Sequence, residues 1–395
     1  MIENTAADSG TPHRTAHERP FSGTGQGGVR RTPRAHIGRC CLGALALLAL
    51  VVVTGCATQP VTEAPPLPVF PPPPDEPRFM FENILYSTAQ VARVDRRNRL
   101  RLMLTGERLQ GRSMPKPFDV AACRGRIYVS DTVAGRVFVF DPVEGRSFEI
   151  GVRRPGNLAK PMGLDVDAAC NLYVADISQS RIVVYDRDGE YRTAMGGQEM
   201  FERLSYVAVD QAGERVYAVD TGGVRSQDHR VRVFAADSGE HLFDFGTRGV
   251  GEGEFNLPRG VAVAPDGTVY VVDSANFRVQ AFDRDGNFLH TFGSIGRQLG
   301  QFARPKGIAT DPEGRVYVVD TSFGNFQIFD AEANLLLFVG DRGNTGGPAE
   351  YMLPNGIGVD EDGRVYVVDQ FYSKIDIYRP AALRETEGHL GAWYR

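Results

Sequence analysis

One phrase occurs six times in this chain and constrains its fold more than any other feature. Each copy reads approximately as Pro-x-Gly-apolar-x-Val, a short turn, Val-Tyr-Val-x-Asp, and then Arg-Val-x-x-Phe-Asp. The Tyr and Asp of the six copies are Tyr128/Asp131, Tyr173/Asp176, Tyr217/Asp220, Tyr270/Asp273, Tyr317/Asp320 and Tyr366/Asp369. Successive copies are 44 to 53 residues apart, a spacing typical of one four-stranded propeller blade. The repeat therefore predicts an all-β fold, a six-bladed β-propeller.

The apolar pattern within each copy predicts strands a to d, counted outward from the propeller axis. In the first copy we expect strand a at Pro117–Ala122, strand b at Arg126–Asp131, strand c at Arg136–Asp141 and strand d near Ser147–Gly151. The later a strands are predicted to start at Pro161, Leu204, Pro258, Pro305 and Pro354, and the later d strands to end at Gly196, Gly246, Gly293 and Gly340. Strands that are apolar on both faces suit packing between neighbouring blades.

The sixth copy lacks its own strand d. Pro380 and a polar tail, residues 381–395, follow strand c instead. Because an open ring would leave unpaired strand edges, the missing strand must come from Arg78–Leu85 or from Leu100–Thr105. We favour Arg78–Leu85, whose Phe79, Phe81 and Ile84 suit a strand, and interpret the charged stretch 94–104 as a short helix or loop. The propeller is thus predicted to span residues 78–380.

Residues 1–55 have the pattern of a lipoprotein signal peptide. Four arginines precede an apolar run of 13 residues, 41–53, which is too short to favour a membrane-spanning helix. The run ends in Val53-Thr-Gly-Cys56, which resembles the lipobox of bacterial lipoproteins and implies that Cys56 carries a diacylglycerol. An ordinary signal peptide and an uncleaved anchor are the alternatives. The implied location is the cell envelope, facing the periplasm, and Ala57 after the Cys favours the outer membrane.

The segment 56–77 is rich in Pro and predicts a semi-rigid polyproline-II spacer. The chain carries a net charge of −5, and the part beyond residue 55 is more acidic still, which argues against nucleic-acid binding. Of the five Cys, only Cys123 and Cys170 lie in the predicted propeller, in the a-to-b turns of consecutive blades. An even pair in an oxidising compartment suggests a disulfide, with two separate thiols as the alternative.

Two Gly-rich segments between blades carry a family resemblance. They run from Gly246 to Pro258 and from Gly293 to Pro305, and each leads into an a strand and a Val-Tyr-Val-Val-Asp strand. This pattern resembles NHL repeats over residues 113–378. The resemblance implies a six-bladed propeller, in which these glycines permit a tight connection with positive φ. It also brings enzymatic precedents, a lyase with zinc held by His and lactonase-type propellers with an acidic metal site in the channel.

The His and Asp residues of the predicted blades give little support to an enzymatic function of this kind. The three His of the blades, His229, His241 and His290, all fall outside the a strands, so a His-based channel metal site is not expected. We predict no catalytic residue, metal or cofactor, although Asp165 and Asp210 near a strands leave a carboxylate site open. Thr132, Ser274 and Thr321 are expected to cap turns. Four pairs are expected to be ion pairs across the b–c turn: Asp131/Arg136, Asp176/Arg181, Asp273/Arg278 and Asp369/Lys374.

Basic residues flank the start of strand a in five blades. They include three of the four Lys of the chain, and the set is Lys116, Lys160, Arg203, Arg259, Arg304 and Lys306. In a propeller the d–a and b–c loops lie on one face, so these cations are predicted to ring the channel mouth and attract an anion. The b–c loops of blades 4 to 6 add the aromatic residues Phe277, Phe323, Phe371 and Tyr372. Solvated cations and aromatics packed beneath loops are the alternative interpretation.

The sequence therefore predicts a membrane-tethered binding or scaffold module. The expected ligand is an envelope protein, an acidic peptide or an anionic glycan, bound at the ring of cations and aromatics. A periplasmic lyase or lactonase of propeller type, and a purely structural member of an envelope assembly, are the alternatives.

Overall fold

The computed structural model describes residues 66–94, 96–106 and 109–394, and these form a closed ring of six blades. The predicted lipobox at Cys56, the signal peptide and residues 56–65 of the Pro-rich spacer lie outside the described residues. Strand a of every blade contacts strand a of both neighbouring blades, from blade 1 round to blade 6 and back to blade 1. The a strands therefore surround the axis, and the predicted fold class is confirmed.

The strand bounds agree closely with the repeat. The a strands are Pro117–Cys123, Pro161–Val166, Leu204–Val209, Pro258–Val263, Pro305–Thr310 and Pro354–Val359. The b strands are Arg126–Asp131, Leu172–Asp176, Arg215–Asp220, Val269–Asp273, Val316–Asp320 and Val365–Asp369. The c strands are Arg136–Asp141, Arg181–Tyr185, Arg230–Ala235, Arg278–Phe282, Asn325–Phe329 and Lys374–Pro380. The d strands of blades 1 to 5 are Arg146–Ile150, Tyr191–Gly196, His241–Phe245, Phe288–Phe292 and Leu335–Val339.

Strand d of blade 6 comes from the N-terminal part of the chain, as predicted. Phe79–Leu85 pairs antiparallel with Lys374–Pro380, and a short fifth strand, Val69–Phe70, adds to its outer edge. A buried ion pair fastens this closure, because Arg364 Nε of blade 6 lies 2.9 Å from Glu82 Oε2. The ring is therefore closed by hydrogen bonds between segments far apart in sequence.

The segments outside the blades are short. One α-helix, α1, spans Arg96–Thr105 and agrees with the helix or loop expected at 94–104. Single 3-10 turns occupy Thr88–Val91, Ser274–Asn276 and Leu390–Tyr394. The last of these packs Leu390 into the apolar cluster between blades 6 and 1. Within the described residues, no helix is long and apolar enough to cross a membrane.

The apolar core consists of one cluster at each of the six seams between blades. The Val-Tyr-Val-x-Asp strands supply both sides of a seam, since alternate side chains point to opposite faces of a blade. The Gly-rich segments add a buried aromatic ring to the seams. Gly246 (φ +85°) and Gly293 (φ +84°) follow strand d, and a Cβ there would collide with Phe255 and Phe302. The positive φ that was predicted for these glycines is present.

The d–a loops of blades 3 and 5 each contain a small parallel ladder. Thr247–Arg248 pairs with Glu254–Phe255, and Asp341–Arg342 pairs with Glu350–Tyr351. On the opposite face, Cys123 and Cys170 form a disulfide with a Cα–Cα distance of 5.7 Å, joining the a–b turns of blades 1 and 2. We call the face with d–a and b–c loops the d–a face, and the face with a–b and c–d turns the a–b face.

Candidate functional site at the d–a face

The repeated Asp at the end of strand b organises the d–a face. The Asp131 carboxylate accepts backbone N–H groups from Lys116 (2.7 Å), Val133 (2.9 Å) and Ala134 (2.7 Å). Asp176, Asp220, Asp273, Asp320 and Asp369 likewise bind backbone N–H groups just before their own strand a. Each Asp is fully buried. The same carboxylates therefore fix the backbone that carries Lys116 and the equivalent basic residues.

The prediction of four ion pairs across the b–c turn was wrong for three of them. Only Arg278 and Asp273 meet, at 2.8 Å. The other basic partners bind elsewhere: Arg136 with Glu149 (2.6 Å), Lys374 with Asp376 (2.9 Å), and Arg181 with the carbonyl of Asn157 (2.9 Å). The physical reason is that each anchor Asp already accepts backbone N–H groups, which a buried carboxylate needs as partners.

Two of the three hydroxyl groups near the anchors join neighbouring blades instead of capping turns. Ser274 Oγ donates to the carbonyl of Pro305 (2.8 Å), and Thr321 Oγ1 donates to the carbonyl of Pro354 (2.7 Å). Each acceptor is the first residue of the next strand a. Thr132 Oγ1 donates to the carbonyl of Lys116 within its own blade (3.3 Å). These hydroxyls are therefore committed to holding strand a in place.

The six basic residues of the predicted ring lie on this face at two depths. Lys116, Lys160, Arg203 and Arg304 precede strand a and are exposed, whereas Arg259 and Lys306, each the second residue of strand a, are half-buried at the channel mouth. In the described part of the chain, none of the six side chains has an ion pair or hydrogen bond. Further exposed cations on the loops of this face were not singled out because they fall outside the repeated phrase; they include Arg153, Arg154, Arg225, Arg297 and Arg342.

The cations of blades 3 to 5 lie close enough to repel one another. Burial lowers the pKa of Arg259, and the neighbouring charges of Arg203 and Arg304 lower it further. Burial likewise lowers the pKa of Lys306 to about 8, with added repulsion from Arg304 and Arg259. Asp369 and Asp320 oppose this shift at Lys306, but neither forms an ion pair with it, and grouped, partly desolvated cations favour an anion as an added counter-charge.

The channel is closed beneath these cations by one side chain. Tyr206 is the third residue of strand a in blade 3, and its hydroxyl accepts a hydrogen bond from Asn355 Nδ2 of blade 6 (3.0 Å). Asn355 Nδ2 also donates to the carbonyl of Phe118 in blade 1 (2.9 Å), whose ring lies 5.5 Å from the Tyr206 ring. Tyr206 is only 4% exposed. A ligand at the d–a mouth therefore meets a floor rather than an open tunnel.

The predicted aromatic arc is largely committed to packing. Tyr372 donates from its hydroxyl to the carbonyl of Gly343 (2.8 Å), and Phe277 packs against the seam between blades 4 and 5. Phe323 is half-buried. Phe371 is 59% exposed, with its ring 5.0 Å from that of Tyr372. Of the four aromatics, Phe371 is therefore the one available to a ligand.

The His residues have structural surroundings. His229 is buried, its Nε2 lies 3.0 Å from the carbonyl of Gly223, and its Nδ1 accepts the N–H of Leu257 (3.3 Å). His241 pairs with Asp244 on the outer strand of blade 3 (2.7 Å). Asp210 binds the N–H groups of its own a–b turn. Among the described residues, no group of three or more His, Cys, Asp or Glu is arranged to hold a metal ion.

Comparison with known proteins identifies the repeat. The family model for the NHL repeat matches residues 255–282 and 302–329. The protein brain tumor of Drosophila melanogaster is 30% identical over 144 residues, which are 35% of this chain and 13% of that protein. The match thus covers only a small part of that relative's length.

Solved structures agree on the architecture. A protein of unknown function from Bacteroides thetaiotaomicron superposes with a TM-score of 0.54 and 18% identity, covering 76% of each chain. A gluconolactonase from Xanthomonas campestris superposes with a TM-score of 0.50 and 18% identity, covering 67% of this chain and 86% of that chain. Identities this low establish the fold alone. The chain is therefore a six-bladed β-propeller that carries NHL repeats.

Proposed function

We propose that this propeller is a binding module that holds an acidic segment of a partner protein on its d–a face. The observation that carries the proposal is the group of unpaired cations, Arg203, Arg259, Arg304 and Lys306, above the closed floor at Tyr206. Because the floor blocks passage, the ligand docks on the mouth and does not thread through the channel. A negative group seated there relieves the repulsion between Arg259 and Lys306.

Apolar exposure on the same face favours a protein over a glycan. Across the blades, the exposed large apolar side chains lie either in outer strands (Leu242, Leu289, Phe338) or in d–a and b–c loops. The loop residues are Val133, Val152, Val224, Val250, Ile295, Leu299, Leu353 and Phe371. Exposed apolar groups beside cations are typical of protein interaction surfaces.

The test uses the full-length chain in detergent and two labelled peptides. One peptide is rich in Asp and Glu with one aromatic residue, and the other carries Asn and Gln at the acidic positions. We expect the acidic peptide to bind at least tenfold more tightly, which is about 1.4 kcal/mol. Binding should weaken as salt rises, because exposed charges are screened. Fluorescence anisotropy measures both effects.

Variants locate the contact. The double variant Arg259→Glu with Lys306→Glu should lose the preference for the acidic peptide. Arg192→Glu, on the outer strand of blade 2, changes charge away from the face and should bind as the parent does. Equal binding of the two peptides, or an unchanged affinity in the double variant, would contradict the proposal. Hydrolysis of a lactone substrate by a chain that binds neither peptide would instead favour the lactonase alternative.

The proposal includes attachment to a bacterial membrane through a lipid on Cys56. It rests on the apolar run at 41–53 and the Val-Thr-Gly-Cys sequence that ends it. Cys56→Ser is expected to lose the lipid mass and to leave the membrane fraction. A Cys56→Ser chain with unchanged mass and membrane association would contradict lipidation without affecting the peptide-binding test.

A further inference from the structure

The opposite end of the channel contains a separate cavity of about 310 Å³, below Tyr206 and open toward the a–b face. Its walls are formed by the lower halves of the a strands, with side chains such as Val120, Val263 and Ile308. This volume is at the lower end of the range for small-molecule sites, which are mostly apolar with a few placed polar groups. The Cys123–Cys170 disulfide lies at its rim.

Two carboxyl groups lie inside this cavity beside its apolar walls. Asp119 of blade 1 is 5% exposed, and its Oδ2 accepts the N–H of Leu164 in blade 2 (3.1 Å). Asp165 of blade 2 accepts the N–H groups of Val166 (2.8 Å) and of Val209 in blade 3 (3.0 Å). Neither carboxyl has an ion-pair partner among the described residues. The hydrogen bonds orient them, but their charge is left without a counter-ion.

The electrostatic environment favours a proton or a cation on these groups. Burial, with a smaller contribution from the charge of Asp165, raises the pKa of Asp119 to about 8 against the opposing effect of the backbone hydrogen bonds. Burial raises the pKa of Asp165 to about 7, with repulsion from Asp167. The rim adds Glu361, His389 and Asp311, the last of which is paired with Arg315 (2.5 Å). Arg124 at the rim donates its side chain to the carbonyl of Ala168 (2.9 Å) and forms no ion pair with either carboxyl group.

The surroundings favour an organic cation over a metal ion. Backbone N–H groups already occupy one position on Asp119 Oδ2 and on both oxygens of Asp165, while divalent metals need several oxygen ligands around one centre. The apolar walls instead offer contact area to a hydrocarbon body, which contributes to binding in proportion to the area removed from water. A protonated amine needs only hydrogen-bond acceptors at one end and apolar contact along the rest.

We propose that the cavity at the a–b end of the channel binds a small organic ammonium compound, with Asp119 and Asp165 accepting from its charged nitrogen and the apolar walls enclosing its carbon skeleton. This site is independent of the anion-binding d–a face, because Tyr206 and Asn355 separate the two. It needs no residue of the basic ring.

The experiment compares three probes of one shape on the full-length chain: phenethylamine, the neutral 2-phenylethanol and the anionic 3-phenylpropionate. Isothermal titration calorimetry, with ligand-observed NMR for weak binding, measures each affinity. We expect phenethylamine to bind at least tenfold more tightly than the alcohol and the anion not to bind. Asp119→Asn and Asp165→Asn keep an acceptor for the backbone N–H groups, and each should lower amine affinity about tenfold. Arg192→Met, at an exposed position on the outer strand of blade 2, is the control and should leave amine affinity unchanged.

Three results would overturn the proposal. Equal affinity for amine and alcohol would show that the carboxyl groups do not recognise charge. Displacement of the amine by millimolar Mg²⁺ or Ca²⁺ would indicate a metal site instead. Absence of phenethylamine binding to the folded wild-type chain would also contradict the proposal. This result does not depend on whether the Asp119 and Asp165 variants fold.

Discussion

The two ends of one channel differ in charge, exposure and shape. The d–a end carries cations without ion-pair partners among the described residues and exposed apolar loops, whereas the a–b end is a cavity with apolar walls that contains the carboxyl groups of Asp119 and Asp165. The same six a strands build both ends. The two ends differ because the residues that line them lie at the positions where the six copies of the repeat are least alike.

The irregular positions are easy to locate. The third residue of strand a is Gly in four blades, and at Gly260 a Cβ would come within 2.5 Å of the carbonyl of Lys306 in the next blade. In the other two blades this position holds Asp119 and Tyr206, a carboxyl group of the cavity and the floor of the channel. The fifth residue is Ala or Gly except at Asp165. The second residue varies in every blade and supplies Arg259, Lys306 and Asn355.

Removing the Tyr206 side chain, which separates the two ends of the channel, should have the largest effect. Tyr206→Ala deletes a buried aromatic ring, and we expect a loss of about 3–5 kcal/mol in the free energy of unfolding. Tyr206→Phe keeps the ring and loses only the bond from Asn355, so it should cost about 1 kcal/mol. Urea unfolding followed through Trp393 fluorescence measures both. An equal, small loss in the two variants would show that the ring does not form a packed partition.

Loss of the disulfide should affect only the a–b end. Replacing Cys123 and Cys170 together by Ala removes a cross-link that spans 47 residues, and we expect about 3 kcal/mol lower stability. Backbone amides of the a–b turns of blades 1 and 2 should then exchange faster with deuterated solvent. Affinity for the acidic peptide at the d–a face should stay as in the parent chain, and a parallel loss there would contradict the independence of the two ends.

The carboxyl groups give the a–b end a distinct response to pH. Because burial raises the pKa of Asp119 to about 8, the folded chain binds more protons than the unfolded chain between about pH 4 and pH 8, and its stability falls across that window. Burial raises the pKa of the neighbouring Asp165 to about 7, so this carboxyl group contributes to the same fall in stability. Asp119→Asn should be roughly 2 kcal/mol more stable than the parent at pH 8.5 and equal to it near pH 4. Urea unfolding at both pH values measures the free energy of unfolding, and Asp341→Asn, at an exposed position, is the control.

The d–a end should respond to pH in the opposite direction and more weakly. Burial and its cationic neighbours lower the pKa of Lys306 to about 8 from the model-peptide value of 10.5. The unfolded chain therefore binds more protons between these pH values, and stability rises with pH across this window. Lys306→Met should flatten this rise in stability with pH, and it should increase the free energy of unfolding by about 1 kcal/mol at pH 7. Lys116→Met, at an exposed position, should leave the profile unchanged, and an identical profile for Lys306→Met would contradict the crowding of charges.

Most of the fold was predictable because each blade repeats the same pattern. The starts of all six a strands and the closing strand at Phe79–Leu85 agree with the sequence prediction. The roles of the anchor Asp residues were not predictable from spacing, since their backbone partners lie in loops that a charge pattern does not show. Asp119 and Tyr206 were overlooked, although each of them stands where the repeated pattern has its Gly. A pairing between blades 3 and 6, such as Tyr206 with Asn355, depends on ring closure and leaves no local signal.

The closing strand also sets an order of events during synthesis. Glu82 and Arg364, which fasten the closure, are 282 residues apart in sequence, so the first strand to leave the ribosome waits for its partner until nearly the whole chain has been made. Contacts between such distant segments form late and slowly. Until blade 6 has been made, Phe79–Leu85 has no strand c to pair with, and its free edge can pair with another chain. The nascent propeller is thus most prone to aggregation just before its last blade is complete.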